Sequence, residues 1–280
     1  MKHIFLNLKR FDISPTFGGV NHLAPMKDWA SCIIHGTEDA LRKYQDMEFV
    51  DFFPELHILK AVQALNNDSP IQVGCQGVHR DDTSTHGNFG AFTTLRTANA
   101  MWEAGCRWAL IGHCEERNEK AGFLAEAGVT GASAAKVVNQ ALNKEILCAQ
   151  KAGMKVLYCI GEKTEEQERW REVLSEQLVT GLQGADRARL VIAYEPIWSI
   201  GPGKTPAARQ YIEKIATFVK EQTSGMDVVY GGGLKKENAA MLASIPSIDG
   251  GLIALTRFQG EIGFYPDEYL DIVQRYLDKA

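Results

Sequence analysis

Short apolar runs alternate with longer amphipathic segments along the whole chain. The runs are rich in β-branched and aromatic residues, and VLYCIG, LVIAY and DVVYGG are apolar almost throughout. Nearly continuous apolar character is typical of parallel strands that are covered on both faces. The pattern predicts eight strands, at residues 3–7, 47–53, 71–76, 108–112, 155–161, 190–195, 227–231 and 250–254.

The segments between the runs have helical periodicity. TEEQERWREVLSEQLVTGL and PAARQYIEKIATFVKEQT place apolar residues three and four positions apart, which gives each helix one buried face. Eight βα units predict an α/β fold with a closed (β/α)₈ barrel, and an open doubly wound sheet is the alternative. We predict a single domain over residues 1–280, because no linker divides the chain, and a loop at the glycine-rich residues 122–131.

Composition and charge narrow the functional classes. A net charge of -5 and a pI near 5.8 make a nucleic-acid binder unexpected, because such proteins usually carry a basic face. The amino-terminal apolar patch is too short for a signal peptide or a membrane span, so we expect a cytoplasmic protein without membrane contact. We also expect reduced thiols, because none of the cysteines forms a CxxC pair: Cys32, Cys75, Cys106, Cys114, Cys148 and Cys159.

The sixth predicted strand ends in AYEPIWSIGPGKT, which places Glu195 at the strand tip before a loop. Pro196 restricts the start of this loop, whereas Gly201 and Gly203 permit sharp turns, so the middle of the segment has the character of a hinged lid. A lone glutamate at a strand end is more often solvated or ion-paired. The lid-like context favours Glu195 as a catalytic base.

Polar residues also follow two other strands at the same end of the predicted barrel. His113 follows the fourth strand, where a neutral imidazole can polarise a carbonyl, although a structural histidine is the commoner case. Asn7 and Lys9 end the first strand, and alternation along a strand directs both toward one side. A solvated lysine is the alternative for Lys9.

Taken together, N-x-K, G-H-x-E and A-Y-E-P-x-W-x-I-G-x-G-K-T resemble the triosephosphate isomerase family over essentially the whole chain, with LYCIGE and VYGGG in support. The resemblance implies a single TIM barrel and a homodimer that interconverts glyceraldehyde 3-phosphate and dihydroxyacetone phosphate in glycolysis and gluconeogenesis. It implies no cofactor and no metal. In this scheme Glu195 is the base that forms an enediolate and His113 the electrophile, the pairing that the enzyme of this family is known for.

The remaining site residues also follow from the resemblance. Lys9 supplies positive charge to the bound substrate and Asn7 positions its carbonyl side, while Glu115 supports Lys9 or the loop from behind. Cys114 stands where the family usually has serine and Glu116 where it has arginine. The implied phosphate site comprises Gly201 in the lid, Gly233, and the positions of the family's Gly-Gly pair, which here are Ala254 and Leu255. Arg257, two residues after Leu255, is a separate candidate whose guanidinium can replace lost amide contacts with an anion, and a surface arginine is the alternative.

Three connections are longer than the family pattern, at residues 12–25, 79–88 and 118–133, and all of them follow carboxyl ends of strands. They are either surface decoration or parts of a reshaped pocket or dimer contact. The resemblance therefore leaves three functions open. They are triosephosphate isomerisation, isomerisation of another phosphorylated ketose such as a tetrulose phosphate, and a non-catalytic barrel that binds a small ligand.

Overall fold

A closed barrel of eight parallel strands forms the centre of the protein. The computed structural model describes residues 1–200 and 204–278. Each strand pairs with its neighbour in chain order, and the last strand closes on the first. This confirms the predicted (β/α)₈ barrel and excludes the open sheet. The strands are β1 (Lys2–Asn7), β2 (Met47–Phe53), β3 (Ile71–Cys75), β4 (Trp108–Ile111), β5 (Lys155–Ile160), β6 (Leu190–Tyr194), β7 (Val228–Tyr230) and β8 (Gly250–Ile253).

The predicted strand positions are correct to within one residue at each end. The residues that lie just beyond the observed strands include Gly112, Gly161 and Glu195, which occupy the loops at the carboxyl ends. In a barrel of this class those loops build the active site. Because the observed strands end slightly earlier than predicted, Glu195 lies in a carboxyl-end loop, where active-site residues are expected.

Amphipathic helices cover the outside of the barrel. In α7, the buried positions Ile212, Ile215, Ala216 and Val219 follow the three- and four-residue spacing of one helical face. Within the described residues the α-helices are α1 (Met26–Leu41), α2 (Glu55–Ala64), α3 (Ala98–Glu103), α4 (Cys114–Glu126), α5 (Gly131–Ala152), α6 (Trp170–Gly181), α7 (Arg209–Thr223), α8 (Ala239–Ala243) and α9 (Pro266–Leu277).

The core has an inner and an outer layer, because successive strand side chains point to opposite faces. On β1, Phe5 points into the barrel, whereas Ile4 and Leu6 pack with the helices. The inner layer consists of Phe5, Val50, Phe52, Trp108, Leu110, Leu157, Cys159, Val191, Ala193, Val229 and Leu252. These side chains fill the barrel, so ligands must bind at its ends.

The loop predicted at residues 122–131 is mostly wrong. Helix α4 continues through Gly122 to Glu126, and only residues 127–130 separate it from α5. The sequence AGFLAEAG contains alanine, leucine and glutamate, whose helix propensity outweighs the cost of one glycine. The longer connection after β4 is therefore largely an extension of helical structure.

Among the described residues, no helix is both long and apolar enough to cross a bilayer.

Candidate active site

Glu195 and His113 lie next to each other at the carboxyl end of the barrel. Glu195 follows β6 and is 1% exposed, and its Oε1 lies 3.2 Å from Nε2 of His113. The other oxygen, Oε2, accepts a hydrogen bond of 3.0 Å from the backbone N–H of Cys114. No hydrogen-bond donor among the described residues is aimed at Oε1. Oε1 of the buried Glu195 carboxylate is therefore free to accept a proton from a ligand.

The hydrogen bonds of His113 define its tautomer. Its Nδ1 accepts the backbone N–H of Glu115 at 3.2 Å, as part of the amino-terminal cap of α4. A nitrogen that accepts an N–H carries no proton itself, so the proton of the neutral ring is on Nε2. The ring thus presents an N–H group beside Glu195. A ligand carbonyl in this space would have a donor on one side and a carboxylate on the other.

Burial shapes the acid-base behaviour of Glu195. Desolvation raises the pKa of its carboxyl, while the neighbouring His113 ring, the Cys114 N–H and Lys9 oppose that rise. A raised pKa makes a carboxylate a stronger proton acceptor near neutral pH. Glycines make the room for this side chain, since a Cβ on Gly231 would lie 2.7 Å from Cγ of Glu195.

Lys9 and Asn7 lie together after β1. The Lys9 ammonium pairs with Glu115 Oε1 at 2.6 Å, and the Lys9 backbone N–H donates to Asn7 Oδ1 at 3.1 Å. Lys9 has a φ of +38°, a strained backbone of the kind that clusters at functional sites. Its charge also acts on the Glu195 carboxyl. The structure therefore brings Asn7, Lys9, His113 and Glu195 into one region, with Glu115 between Lys9 and His113.

Gln76 is a residue of this region that the sequence analysis did not single out. Its Nε2 lies within hydrogen-bonding distance of Asn7 Oδ1 at 3.3 Å, Lys9 O at 3.2 Å and Phe52 O at 3.1 Å. It thereby orients the Asn7 amide and supports the Lys9 backbone. Its signal in the sequence is a polar residue directly after the apolar strand β3, at the barrel end where site residues are expected.

Glu162 holds the first part of the candidate lid. Its Oε1 accepts hydrogen bonds from Trp198 Nε1 at 2.8 Å, Tyr194 OH at 3.0 Å and Tyr211 OH at 3.0 Å. Trp198 lies in a 3₁₀ turn, Ile197–Ser199, so this carboxylate connects the lid to β6 and α7. Burial raises the Glu162 pKa against the effect of these donors. Gly201, predicted to contribute a lid N–H, lies outside the described residues.

Several backbone N–H groups directly after β7 and β8 have no hydrogen-bond acceptor within the described part of the chain. The N–H groups of Gly232, Gly233, Ala254 and Leu255 donate to no acceptor among the described residues. Gly233 has a φ of +97°, which suits glycine. Free backbone N–H groups that point to one place can bind an anion. Ala254 and Leu255 carry side chains where the family pattern has glycine, and each keeps an N–H group without an acceptor among the described residues.

Arg257 has a partner within the chain. The Nε of Arg257 donates to Glu268 Oε1 at 2.7 Å, and its Nη2 lies 2.6 Å from the same oxygen. The guanidinium also stacks over the Tyr265 ring, 3.7 Å from the ring centroid. The side chain is 35% exposed. An anion at the end of β8 would therefore compete with Glu268 for this guanidinium.

One group of metal-ligating side chains occurs in the site. Among the described residues, the ligand atoms of His113, Cys114 and Glu195 lie within 4.8 Å of one another. Burial, together with the charge of Glu195, raises the pKa of the Cys114 thiol to about 12, so in the metal-free site Cys114 is a neutral thiol.

Known proteins of similar sequence belong to one family. The model of the triosephosphate isomerase family matches residues 27–274. The triosephosphate isomerase of Geobacter metallireducens is 33% identical over 76% of this chain and 81% of its own length. The enzyme of Prosthecochloris aestuarii is 32% identical over 73% of this chain and 77% of its own length. The enzyme of Parasynechococcus marenigrum is 30% identical over 89% of this chain and 91% of its own length.

A solved structure has the same fold. The crystal structure of triosephosphate isomerase from Bartonella henselae superposes with a TM-score of 0.71 and covers 99% of both chains at 21% identity. At that identity the likeness concerns the barrel alone. The family match over most of the length carries the assignment, and the chain belongs to the triosephosphate isomerase family.

Proposed function

We propose that this protein interconverts glyceraldehyde 3-phosphate and dihydroxyacetone phosphate through an enediolate, without a cofactor, as a step of glycolysis and gluconeogenesis. The observation that carries the proposal is the free Oε1 of Glu195 beside Nε2 of His113, at 3.2 Å. A proton shuttle between adjacent carbons needs one base and one donor to the carbonyl oxygen. These two groups supply them. Membership of the family supports the same reaction.

Each polar group has a defined role in the proposed reaction. Glu195 Oε1 removes the proton from the carbon beside the carbonyl and returns it to the neighbouring carbon. His113 donates from Nε2 to the oxygen on which negative charge develops. The Lys9 ammonium stabilises the same charge, and Asn7 orients the carbonyl side of the substrate. Glu115, paired with Lys9 at 2.6 Å, holds the ammonium in place.

The substrate phosphate is proposed to bind the free N–H groups of Gly233, Ala254 and Leu255. Backbone amides bind anions whatever side chain follows them, provided that the side chain leaves room. Gly201 in the lid is proposed as a further donor and Arg257 as an additional cation. These contacts are the part of the proposal in which this chain departs most from its family.

A tetrulose phosphate is the second candidate substrate. Leu255 brings a partly exposed apolar side chain to the wall where the family pattern has glycine. The altered wall and the longer connections after β1, β3 and β4 provide a different shape around the substrate. The chemistry at Glu195 would be the same, because only the carbons beside the carbonyl react.

Deuterium exchange tests the function directly. Purified protein is incubated in D₂O with the triose phosphates or with a tetrulose phosphate, and label at the carbon beside the carbonyl is followed by NMR. Exchange with the triose phosphates supports the leading proposal, and exchange restricted to the tetrulose phosphate supports the alternative. Binding without exchange of any substrate would contradict both and indicate a non-catalytic barrel.

We infer that the protein is a cytoplasmic homodimer. Phe17, in the longer connection after β1, is 85% exposed, and Phe89, directly after the connection at residues 79–88, is 88% exposed. Exposed aromatic groups are typical of interaction surfaces. The cysteines are all free, as in a reducing compartment. Light scattering measures the oligomeric state. Phe89→Ser should weaken the dimer, and an unchanged monomeric mass in both proteins would contradict the inference.

A further inference from the structure

Gly112, the residue before His113, is held by side chains of α4 at both its N–H and its carbonyl. The Gly112 N–H donates to Glu116 Oε2 at 2.6 Å, and the Gly112 carbonyl accepts from Arg117 Nε at 2.8 Å. Gly112 has a φ of +83°, and a Cβ there would lie 2.8 Å from the carbonyl oxygen of Cys159. The chain therefore turns sharply just before His113. The two hydrogen bonds set the direction in which the histidine leaves β4.

Glu116 is itself supported by a second acid on α5. Lys120 Nζ contacts Glu116 Oε1 at 2.8 Å and Glu145 Oε1 at 3.0 Å. The Glu145 side chain is 4% exposed, and its Oε2 has no donor among the described residues. Two carboxyl groups and one ammonium thus share a largely buried space. This arrangement is stable when one carboxyl is protonated, because the net charge of the cluster is then zero.

Glu145 is the carboxyl group of this cluster whose pKa is raised. Burial and the charge of Glu116 raise the Glu145 pKa to about 9. Burial alone would raise the Glu116 pKa too, but the ion pair with Lys120 and the hydrogen bond from the Gly112 N–H lower it. The cluster therefore favours protonation of Glu145 over protonation of Glu116.

We propose that Glu116 is a positioning residue for His113 and that Lys120, which Glu116 shares with the buried Glu145, holds Glu116 against the Gly112 N–H. The proposal rests on the proposed function, because the position of the His113 ring matters through its donation to the substrate. Glu116 touches no reacting atom. Its effect passes through the backbone of Gly112, and a small misplacement of a catalytic group lowers the rate strongly.

The proposal implies a loss of rate at alkaline pH. When Glu145 ionises, two buried carboxylates share the single Lys120, and their repulsion draws Glu116 away from the Gly112 N–H. Other charged or ionisable groups lie around this pair. They are Lys120 and Arg117 of α4, Tyr158 and Cys159 of β5, Cys148 of α5, and Arg96, whose guanidinium lies against Gly77 together with Glu116 Oε1. A variant that changes Glu145 alone separates its titration from theirs.

Substitutions at Glu116 test the positioning role. Glu116→Ala removes the acceptor of the Gly112 N–H and should lower kcat about 10- to 100-fold with little change in KM. Glu116→Gln retains a side-chain oxygen and should restore most of kcat. Glu119→Ala is the matched control, because Glu119 is exposed on the same helix. A Glu116→Ala enzyme with the kcat of this control would overturn the proposal.

The pH profile of Glu145→Gln tests the second half and does not need Glu116→Ala to fold. Glutamine stays neutral at every pH. In the parent enzyme kcat should therefore be lower at about pH 10 than at neutral pH, whereas in Glu145→Gln the two values should be nearly equal. The same alkaline fall in both proteins would overturn the role of Glu145.

Nitrogen NMR of the imidazole rings separates failure of this proposal from failure of the proposed function. In the parent protein at neutral pH, the signal of His113 should report a single tautomer with the proton on Nε2. That signal should broaden or shift in Glu116→Ala and in the parent at about pH 10. This readout requires no substrate. An unaltered His113 signal would overturn the positioning role even if no sugar phosphate is turned over.

Discussion

Oε1 of Glu195 lies 3.2 Å from Nε2 of His113, yet no hydrogen bond of favourable geometry joins the two atoms. The carboxylate is held instead through its other oxygen, by the Cys114 N–H at 3.0 Å. A buried base with one oxygen fixed and one free is prepared to receive a proton. The contact places a proton acceptor and an N–H donor on neighbouring sides of the space that a carbonyl substrate would occupy.

Glu195→Gln should abolish most of the activity and leave the fold intact. The amide keeps the size of the side chain but accepts no proton from carbon, so kcat should fall by about 10²- to 10⁴-fold or more. The measurement is the initial rate of isomerisation together with deuterium exchange in D₂O. Glu221→Gln, an exposed site on α7, is the control and should retain the parent rate.

The same substitution should affect stability in a pH-dependent way. Burial raises the folded-state pKa of Glu195, so the ionised carboxylate opposes folding at neutral pH and this cost is absent below the ordinary pKa of 4.5. Glutamine carries no charge. The thermal midpoint of Glu195→Gln should therefore equal or exceed that of the parent at neutral pH, and the difference should close as the pH falls. A variant that is less stable only at neutral pH would contradict this view of the site.

A methyl group at Gly231 should displace the base. The added Cβ would lie 2.7 Å from Cγ of Glu195 and 3.0 Å from the Tyr194 carbonyl oxygen. We expect Gly231→Ala to lower kcat about 100-fold, because the carboxylate moves from its position beside His113. Steady-state kinetics measures this loss, and circular dichroism verifies that the barrel persists.

Gly122→Ala is the matched comparison for that substitution. Gly122 lies inside α4, and a Cβ added there would meet no atom within 4 Å among the described residues outside its own helix turn. Alanine favours a helix over glycine, so this variant should be more stable by about 0.5 to 1 kcal/mol with unchanged kcat. Equal kinetic losses in the two alanine variants would mean that Gly231 acts through general stability and not through Glu195.

Both the barrel and the central residues of the site could be predicted because each depends on local sequence. Runs such as LVIAY are apolar throughout since both faces of a parallel strand are covered, and Glu195 and His113 directly follow such runs. Contacts between distant side chains have no such local signal. Glu116 and Glu145 lie on different helices, and only their packing reveals that they share Lys120.

The prediction for Arg257 shows the same limit. Its place two residues after Leu255 suggested an anion-binding role, but the identity of its neighbours depends on how the chain returns into α9. The structure places Glu268, in the first turns of that helix, within 2.7 Å of its Nε. The position of Arg257 along the chain therefore predicted a cation near the end of β8, but it did not predict that Glu268 would pair with this cation.

Arg257 and Glu268 should have opposite effects on substrate affinity. If the guanidinium leaves Glu268 to bind phosphate, Arg257→Ala should raise KM about tenfold with little change in kcat, because one charge-assisted contact is lost. Glu268→Gln should lower KM or leave it unchanged, since a competitor for the guanidinium is removed. Steady-state kinetics of both variants measures these effects. A parent-like KM in Arg257→Ala would show that Arg257 does not bind the substrate and serves only in its ion pair with Glu268.

At the opposite end of the barrel, Glu48 should contribute stability that is lost in acid. Its carboxylate accepts from His3 Nδ1 at 2.9 Å and from Lys155 Nζ at 2.7 Å. Burial alone would raise the Glu48 pKa, but these hydrogen bonds outweigh burial and lower it from 4.5 to about 2. The stabilisation is therefore present above pH 4.5 and disappears as the pH falls toward 2.

Glu48→Gln should accordingly reduce the free energy of unfolding at neutral pH by roughly 2 kcal/mol, the order of magnitude that such a shift implies after partial screening by solvent. Urea unfolding at neutral pH and in acid measures the effect, and the difference between parent and variant should shrink as the pH falls. Glu103→Gln, at an exposed position of α3, should show no difference at either pH. Because Glu48 lies far from the loops that carry Glu195, kcat should remain at the parent value; a loss of kcat without a loss of stability would contradict the separation of the stabilising end of the barrel from its catalytic end.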